Sequence, residues 1–276
     1  MFLGLLSLSV AQAGPWVKDP GHAYAKAGYV RFAADEYVDT NGQVVGGTRY
    51  VGHTSHVYGE VGVLPKVQLV LNVPYVGARN VVDDLVYVNR QLGDADFGLE
   101  AGHSFGDVPV SLQVLAKVPL YDTGDLAQYG LLAGRFPAMG DGQVDLTTTA
   151  AVGRGLAVGE IRGWVAGELG YRHRTEAWLG DSTEPERELV DGITWRTQLG
   201  WSPRFGDWDA GWLSLDASGI QNLEVDDVTK QYTQAGASVG IKTVEGLAVE
   251  LGFSQMLSAR ASSLGSSVSG GISWSR

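Results

Sequence analysis

The chain of 276 residues contains no cysteine and no apolar run long enough to cross a bilayer as a helix. The first absence excludes a disulfide-stapled scaffold, and the second excludes helical membrane spans. Basic residues are also few: 20 Lys and Arg stand against 31 Asp and Glu, which gives a net charge of -11. Such an acidic chain lacks the clustered cations that phosphate backbones require, which argues against nucleic acid as a partner.

Helical periodicity is missing as well, because apolar residues recur at every second position rather than at every third or fourth. The segment 108–119, VPVSLQVLAKVP, is typical: all its even positions are apolar, and Gln113, Leu115 and Lys117 are among the odd ones. Successive side chains of a strand point to opposite faces. The segment therefore predicts a strand with one apolar face and one mixed face.

Twelve segments of this kind are predicted, and most are long enough to cross a bilayer as tilted strands. They lie near 22–33, 47–63, 67–76, 93–105, 109–119, 142–153, 160–174, 191–202, 209–219, 231–242, 247–257 and 266–275. Short links with turn residues alternate along the chain with longer polar links. The longer links lie near 34–46, 77–92, 120–141, 175–190, 220–230 and 258–265.

That alternation is expected of an outer-membrane barrel, which has tight periplasmic turns, longer extracellular loops and both termini in the periplasm. A soluble sandwich gives no reason for it. The sequence therefore predicts an all-β fold, an antiparallel transmembrane up-and-down β-barrel of 12 strands. The expected location is the outer membrane of a Gram-negative bacterium, reached by export through the periplasm.

Charged residues of the predicted strands fall opposite the apolar face. They are Asp94, Asp96, Glu100, Lys117, Asp145, Arg162, Glu168, Arg172, Arg174, Arg196, Lys242 and Glu250. A Lys or Arg on the lipid face near the midplane costs roughly 2–4 kcal/mol, so we assign the apolar face to lipid and the charged face to the lumen. Leu115 then becomes an apolar side chain in the lumen, which indicates a partly filled lumen or a path for apolar solutes.

Aromatic residues gather near the ends of the predicted strands, where rings with a polar tip favour the level of the lipid headgroups. They are Phe32, Tyr75, Phe105, Tyr171, Trp201 and Trp274. This placement is a second indication of a membrane barrel.

The first thirteen residues form an apolar run that ends in Ala11-Gln12-Ala13. Small residues at these positions mark a secretory cleavage site, so residues 1–13 are expected to be a signal peptide and residues 14–276 the barrel domain. The positive charge that normally opens a signal peptide is missing, and we expect that the sequence starts inside it. The alternative is an ordinary buried helix or strand.

Several stretches resemble the outer-membrane family named for the MetA pathway of phenol degradation, whose members are described as transporters. They are GPWVKDPGHAYAKAGYVRF, VYGEVGVLPKVQLVLNVPY, GDADFGLEAGHSF, GDGQVDLTTTAAVGRGL and AGELGYRHR. The resemblance implies an outer-membrane barrel associated with the uptake of aromatic compounds, and it transfers no binding residue. The end of the chain departs from the terminal aromatic of such barrels, because Ser275 and Arg276 follow Trp274. Recognition by the barrel-assembly machinery, an expected partner, is therefore less directly supported.

Catalytic and metal-binding patterns are not found. His53 and His56 are three positions apart, which places them on opposite faces of a strand and argues against a shared metal. No nucleophile elbow, phosphate-binding loop, dinucleotide fingerprint or zinc-protease motif occurs. No enzyme activity and no cofactor are therefore expected. A membrane esterase would need a Ser and a His converging at one level of the wall.

Candidate lumen residues concentrate on the strand predicted near 160–174. Five of them share one parity: Arg162, Trp164, Glu168, Arg172 and Arg174. Arg196 on the next strand, Asp145, Lys117 and Leu115 complete the candidate set. These side chains form either a stripe that selects polar or anionic solutes or a salt-bridge network that fills and stiffens a narrow lumen.

Acidic residues are frequent in the predicted extracellular links, where they either bind divalent cations at the lipopolysaccharide surface or keep the loops solvated. They are Asp35, Glu36, Asp39, Asp83, Asp84, Asp181, Glu184, Glu186, Glu188, Asp191, Glu224, Asp226 and Asp227. The favoured function is passive uptake of small hydrophobic or aromatic solutes. The alternative is a non-transport barrel with a closed lumen, serving a structural, adhesive or surface-binding role. Expected partners are outer-membrane lipid, lipopolysaccharide and a small-molecule solute.

Overall fold

The computed structural model describes residues 14–46, 48–122, 135–159, 161–178, 189–205, 208–224, 226, 229–244 and 246–276. The expected signal peptide, residues 1–13, lies outside these ranges and stays a prediction. Within them, no helix is long and apolar enough to cross a membrane.

The described residues form sixteen strands. They are β1 (Ala23–Val38), β2 (Val44–Val45), β3 (Thr48–Leu64), β4 (Val67–Val82), β5 (Leu85–Leu92), β6 (Asp94–Phe105), β7 (Val108–Pro119), β8 (Gln143–Val158), β9 (Ile161–Trp178), β10 (Gly192–Ser202), β11 (Arg204–Phe205), β12 (Trp208–Asp209), β13 (Gly211–Asn222), β14 (Gln231–Val244), β15 (Leu247–Arg260) and β16 (Ser262–Ser275). Twelve of these form the barrel, and β2, β5, β11 and β12 are accessory strands at its ends.

The barrel strands pair antiparallel in chain order, and β16 closes the sheet by pairing with β1. The seam runs from the pair Tyr24 and Ser275 to the pair Val38 and Ser262, with one bulge between Ala34 and Glu36. Closure leaves no free edge among the twelve barrel strands, which is what allows a sheet to stand in lipid. The predicted barrel of 12 antiparallel strands is confirmed.

Two of the predicted long links are wrong. The segment 77–92 is a hairpin formed by the upper part of β4 and by β5, which turns at Asp83 and Asp84 with positive φ angles of 51° and 62°. The segment 258–265 belongs to β15 and β16, which are joined through Ala261 alone. Above the membrane both faces of a strand meet water, so the alternation that marks a spanning strand fades and its sequence resembles a loop.

The barrel carries apolar side chains on its outer face and polar side chains on its inner face, which is the reverse of a soluble protein. On β7, Leu112 and Val114 point outward with 54% and 45% exposure, whereas Gln113, Leu115 and Lys117 are buried in the lumen. All the charged residues assigned to the lumen from sequence share the inward parity. Phe32 is a correction: we expected it in the membrane girdle, but it points inward and packs against Tyr50.

Candidate functional site

The barrel encloses a chamber of about 530 Å³ that has two unlike walls. The wall formed by β1, β3, β4 and β7 carries an apolar surface, beside polar side chains such as Lys26, His56 and Asn72. The apolar members include Val30, Tyr58, Val70, Val76 and Leu115. The opposite wall, formed by β13 to β16, is lined by hydroxyl groups. Its members are Ser214, Ser218, Ser238, Ser254, Ser267 and Ser269. A solute could therefore place an apolar body against the first wall and a polar group against the second.

Leu115 lies at the centre of the apolar wall. It is 7% exposed and packs in one cluster with Tyr58 and Val70, and Tyr24 packs against this cluster. The hydroxyl wall is tied together by its own hydrogen bonds, such as that between Ser214 and Ser238 at 2.8 Å.

Four polar side chains of the chamber have donors or acceptors that the fold leaves unused: Asn72, Asp94, His56 and Arg172. Both ring nitrogens of His56 are buried without a hydrogen-bond partner among the described residues, and so is Nε of Arg172. His56 lies across Gly28, where a Cβ would collide with the imidazole ring. Because unpaired buried polar groups are costly, His56 and Arg172 are natural contacts for the polar group of a solute.

The middle of the lumen carries further candidates. Arg196 and Glu168 are direct partners in the register of β10 and β9, and both line the chamber. The indole of Trp164 donates to Oε1 of Gln198 at 3.1 Å and lies flat across Gly200, a position where any Cβ would clash with the ring. The indole ring of Trp164 can therefore occupy this position only because Gly200 on the neighbouring strand has no side chain.

The extracellular end of the lumen is closed by a group of buried charges, which we call the ion cluster: Asp94, Lys117, Asp141, Asp145 and Arg174. Lys117 Nζ lies 2.6 Å from Asp141 and 2.9 Å from Asp145, and Arg174 Nη1 lies 2.7 Å and 2.8 Å from the same two carboxylates. Asp94 makes the longest contact of the cluster, because its Oδ2 lies 3.9 Å from Lys117 Nζ.

Asp141 belongs to the segment that folds back over the lumen between β7 and β8. Its burial favours the neutral form, but the charges of Lys117 and Arg174 prevail and hold the pKa of this carboxyl well below its ordinary value. The hydroxyl of Tyr121 accepts a hydrogen bond from the backbone of Gly142 at 2.6 Å and so anchors the same segment. The ion cluster is therefore built from charge–charge contacts across four strands and one loop.

The periplasmic end is closed differently, by residues 14–22, which we call the inner segment. It crosses the mouth of the barrel from β3 to β9. Inward glycines make room for it: a Cβ on Gly102 would stand 2.6 Å from Val17, and one on Gly153 would stand 2.8 Å from Pro15.

Few polar contacts hold the inner segment. The backbone nitrogen of Lys18 donates to Oε1 of Gln68 at 2.8 Å, and its ammonium group lies 3.2 Å from the fully buried carboxylate of Glu60. Tyr58 donates a further hydrogen bond to Glu60. A single ion pair is therefore the main charged contact of this closure within the described residues.

The candidate set from sequence does not form one stripe. Lys117, Asp145 and Arg174 belong to the ion cluster, whereas Glu168, Arg172, Arg196 and Leu115 line the chamber. Arg162 is exposed near the periplasmic end of β9, and Trp164 sits between it and the chamber. The members of the ion cluster thus form a charge network, and the members that line the chamber remain candidates for a selective wall.

Sequence reasoning did not find the inner segment, Glu60 or His56. A signal was present, because Gly62, Gly102 and Gly153 interrupt the inward face of three strands at the periplasmic end, and glycine within a strand marks close approach of another chain. The inner segment itself shows no alternation of apolar and polar residues. Its position is therefore determined only by the barrel strands that it contacts.

Of the eight loop acids that the structure describes, five contact other described residues, with Asp83 beside Arg135. The other three, Glu36, Asp84 and Glu224, are exposed. Asp35 pairs with Arg49 at 2.8 Å, Asp39 accepts from backbone nitrogens of its own turn, and Asp226 does the same for Thr229. Asp191 accepts hydrogen bonds from Tyr171 and from the backbone of Arg174. Within the described ranges, no three His, Asp or Glu residues are placed to hold a metal ion. The remaining members lie outside those ranges: Asp181, Glu184, Glu186, Glu188 and Asp227.

Comparison with known proteins supports the fold. No family model and no curated protein sequence matches the chain. The structure is similar to the COG4313 outer membrane channel from Pseudomonas putida F1, with a TM-score of 0.67 and 11% identity over 97% of this chain and 100% of that one. It is also similar to the translocator domain of the autotransporter NalP from Neisseria meningitidis, with a TM-score of 0.51 and 12% identity over 93% and 89%.

These similarities, the closed barrel and the apolar outer wall agree on the class of protein. A closed sheet with lipid-compatible side chains outside and polar side chains inside is stable only across a membrane. The chain is an outer-membrane β-barrel of the Gram-negative type, and the predicted location is confirmed.

Proposed function

We propose that the protein is an outer-membrane channel for passive uptake of small solutes that combine an apolar or aromatic body with one polar group. The observation that carries this proposal is the chamber, with its apolar wall around Leu115 and its hydroxyl wall around Ser214. Its volume of about 530 Å³ falls within the range of pockets for small organic molecules, which is roughly 300–1,000 Å³.

The unused polar atoms of His56 and Arg172 support the same class of solute. A hydroxyl or carboxylate bound to them would satisfy buried groups, while the ring of the solute would pack against Leu115 and Val70. A fully polar solute would leave the apolar wall in contact with water. The channel in the name of the similar P. putida protein and the resemblance to the phenol-degradation family support transport and an aromatic substrate, respectively.

A second candidate function is a non-transport barrel, and the covered ends of the lumen favour it. The ion cluster fills the extracellular end and the inner segment fills the periplasmic one. Transport through the lumen therefore requires both closures to open, at least transiently. A barrel whose closures never move would serve a structural or surface-binding role.

Uptake measurements separate the two functions. Cells whose outer membrane is a barrier to apolar compounds would be supplied with a radiolabelled phenol, with and without the protein. The channel predicts faster uptake with the protein. Uptake that is equal in both strains, together with no conductance in planar bilayers, would overturn it.

Leu115→Asp provides the matched test of the chamber. A carboxylate on the apolar wall should slow phenol uptake at least about tenfold, since burying an unpaired charge disfavours an apolar ligand. Leu115→Met keeps volume and polarity and should retain uptake within about twofold. Equal uptake in both variants would show that the solute does not pass this wall.

A further inference from the structure

A group of basic side chains stands on the outer wall of the barrel, in the extracellular half of β1, β3 and β4 and in the lower part of β5. We call Arg31, His53, Arg79 and Arg90 the basic patch. Arg31 pairs in register with His53, His53 with Gly77, and Gly77 with Arg90, so three of its members share one row across four strands. Arg79 lies in the next row, on the extracellular side.

The three guanidinium groups have no partner within the described part of the chain. Neighbouring arginines do: Arg49 pairs with Asp35, and Arg135 lies 3.4 Å from Asp83. Arg31, Arg79 and Arg90 are all exposed, and none of them makes an ion pair or side-chain hydrogen bond with another described residue. All three guanidinium groups belong to residues that line one groove together with His53, so they converge on one place.

The basic patch lines a groove of about 450 Å³ on the outer wall. Gly77 forms its floor, and the stem of Arg90 crosses this glycine 3.4 Å from where a Cβ would stand. Tyr75 lies at the lower edge of the groove, and its neighbour Tyr29 contacts the ring of His53. The groove can therefore hold a group of the size of a phosphate or a sugar against the backbone.

The height of the patch on the barrel places it at the lipid headgroups. Gly77 is ten residues beyond Val67, where β4 begins at the periplasmic turn. At about 3.3 Å per residue and a tilt near 45°, ten residues rise about 23 Å, close to the apolar band of about 25 Å. Below the patch the outward side chains are apolar, such as Leu69 and Leu71, and then the ring of Tyr75 marks the interface.

Unpaired arginines at this level require an explanation. Three like charges on one outward surface repel one another, and the chain as a whole carries a net charge of -11. An anionic ligand that binds the three groups together removes the repulsion. The outer leaflet of the outer membrane consists of lipopolysaccharide, whose lipid part is a glucosamine disaccharide that carries phosphate groups and acyl chains.

We propose that Arg31, Arg79 and Arg90 bind the phosphate groups of lipopolysaccharide in the groove on the outer wall. Guanidinium groups bind phosphate through paired, charge-assisted hydrogen bonds. The sugar then lies against Tyr29 and Tyr75, and the acyl chains run down the apolar wall past Leu71 and Leu69.

Binding of purified lipid A to the folded barrel in detergent micelles tests this site, with native mass spectrometry to count bound lipid. The variant Arg31→Gln/Arg90→Gln should weaken binding of the bis-phosphorylated lipid at least tenfold. The matched control Lys66→Gln/Arg154→Gln removes two cations at the periplasmic turns and should change binding less than twofold. Resistance of the unheated barrel to dodecyl sulfate confirms that each variant is folded.

Three further ligands identify the source of the phosphate. Lipid A from which both phosphates are removed, phosphatidylglycerol and inorganic phosphate should each bind the native barrel at least tenfold more weakly than bis-phosphorylated lipid A. Equal binding of the dephosphorylated lipid would overturn the role of phosphate. Equal binding of phosphatidylglycerol or of free phosphate would overturn the assignment to lipopolysaccharide. Should the double variant not fold, Arg79→Gln alone should weaken binding about threefold, and unchanged binding would overturn the proposal.

Discussion

The two ends of the lumen are closed by different physical means. At the extracellular end, five charged side chains are locked together, and Asp145 is completely buried between Lys117 and Arg174. At the periplasmic end, the inner segment rests on glycines. One ion pair between Lys18 and Glu60 holds it, together with hydrogen bonds to Gln68 and to the backbone of Gly62. The first closure combines the charges of the ion cluster with a buried apolar cluster that includes Phe32, Tyr121 and Met139, and the second depends mainly on shape.

This difference indicates which end opens more easily. Removing one charged side chain from a buried ion cluster leaves an uncompensated charge, which costs several kcal/mol of stability. Lifting the inner segment off glycine surfaces loses van der Waals contacts, a few hydrogen bonds and one ion pair, so it separates fewer charges and costs less. We therefore expect the periplasmic closure to move at lower free energy than the extracellular one.

Arg174→Met should have the largest effect, because it leaves Asp141 and Asp145 with Lys117 as their main cation. We expect a loss of about 3–5 kcal/mol in the free energy of unfolding and a higher conductance. Urea denaturation of the barrel in micelles measures the first and planar bilayers the second. Arg154→Met, which breaks an exposed pair with Asp107, should cost at most about 1 kcal/mol. Similar losses in both variants would contradict the distinction between the ends.

Lys18→Met should come next. It leaves the carboxylate of Glu60 buried with Tyr58 as its hydrogen-bond donor, and we expect a loss of about 1–3 kcal/mol and a more frequently open periplasmic mouth. Adding Glu60→Gln removes the unpaired charge and should restore stability but not closure. Bilayer recordings of the single and double variants check this. A stable, closed single variant would show that the ion pair does not hold the segment.

Gly153→Val tests the role of shape alone. A Cβ at this position would stand 2.8 Å from Pro15, so the inner segment must leave its seat, and we expect a conductance several-fold higher with the ion cluster intact. Gly155→Val is the matched control, because no atom lies within 4 Å of its Cβ position. Equal conductance of the two variants would refute the assignment of the inner segment as the periplasmic closure.

A smaller effect is expected from pH. Lys230 lies outside the strands, near Asp94, Lys117, Asp141 and Arg174, and burial lowers its pKa to about 8. Its folded pKa lies below the unfolded value of about 10.4, so stability should rise with pH between these two values.

Neutralising Lys230 also removes a positive charge near the extracellular end, so any preference for anions should decline from pH 7 to pH 9.5. Reversal potentials in a salt gradient measure this change. Lys230→Gln should show the same selectivity at both pH values. A pH dependence that persists in this variant would show that a group other than Lys230 titrates.

Much of the fold could be predicted because each spanning strand carries its own signal. The inward parity of Lys117 and the outward parity of Leu112 follow from alternation alone, since lipid and lumen impose opposite demands on neighbouring residues. The hairpin of β4 and β5 and the single-residue turn at Ala261 could not be predicted, because above the membrane both faces of a strand meet water and the alternation carries no information.

The division of the candidate site could be predicted only in part. Parity places Arg174 and Arg172 on the same face, but it does not show that one joins the ion cluster and the other faces the chamber. That outcome depends on Asp141, which a long loop brings back over the lumen. Contacts made by loops and by the inner segment depend on where distant strands stand, and no local pattern encodes them.

The path of the inner segment also sets an order of events in time. Its seat is assembled from β3, β4, β6, β8 and β9, which must curl toward one another before residues 14–22 have a surface to rest on. The seam between β1 and β16 joins the two most distant parts of the chain, such as Tyr24 and Ser275, and contacts of such separation form late. Although the inner segment precedes every strand, it reaches its place only after the wall around it exists.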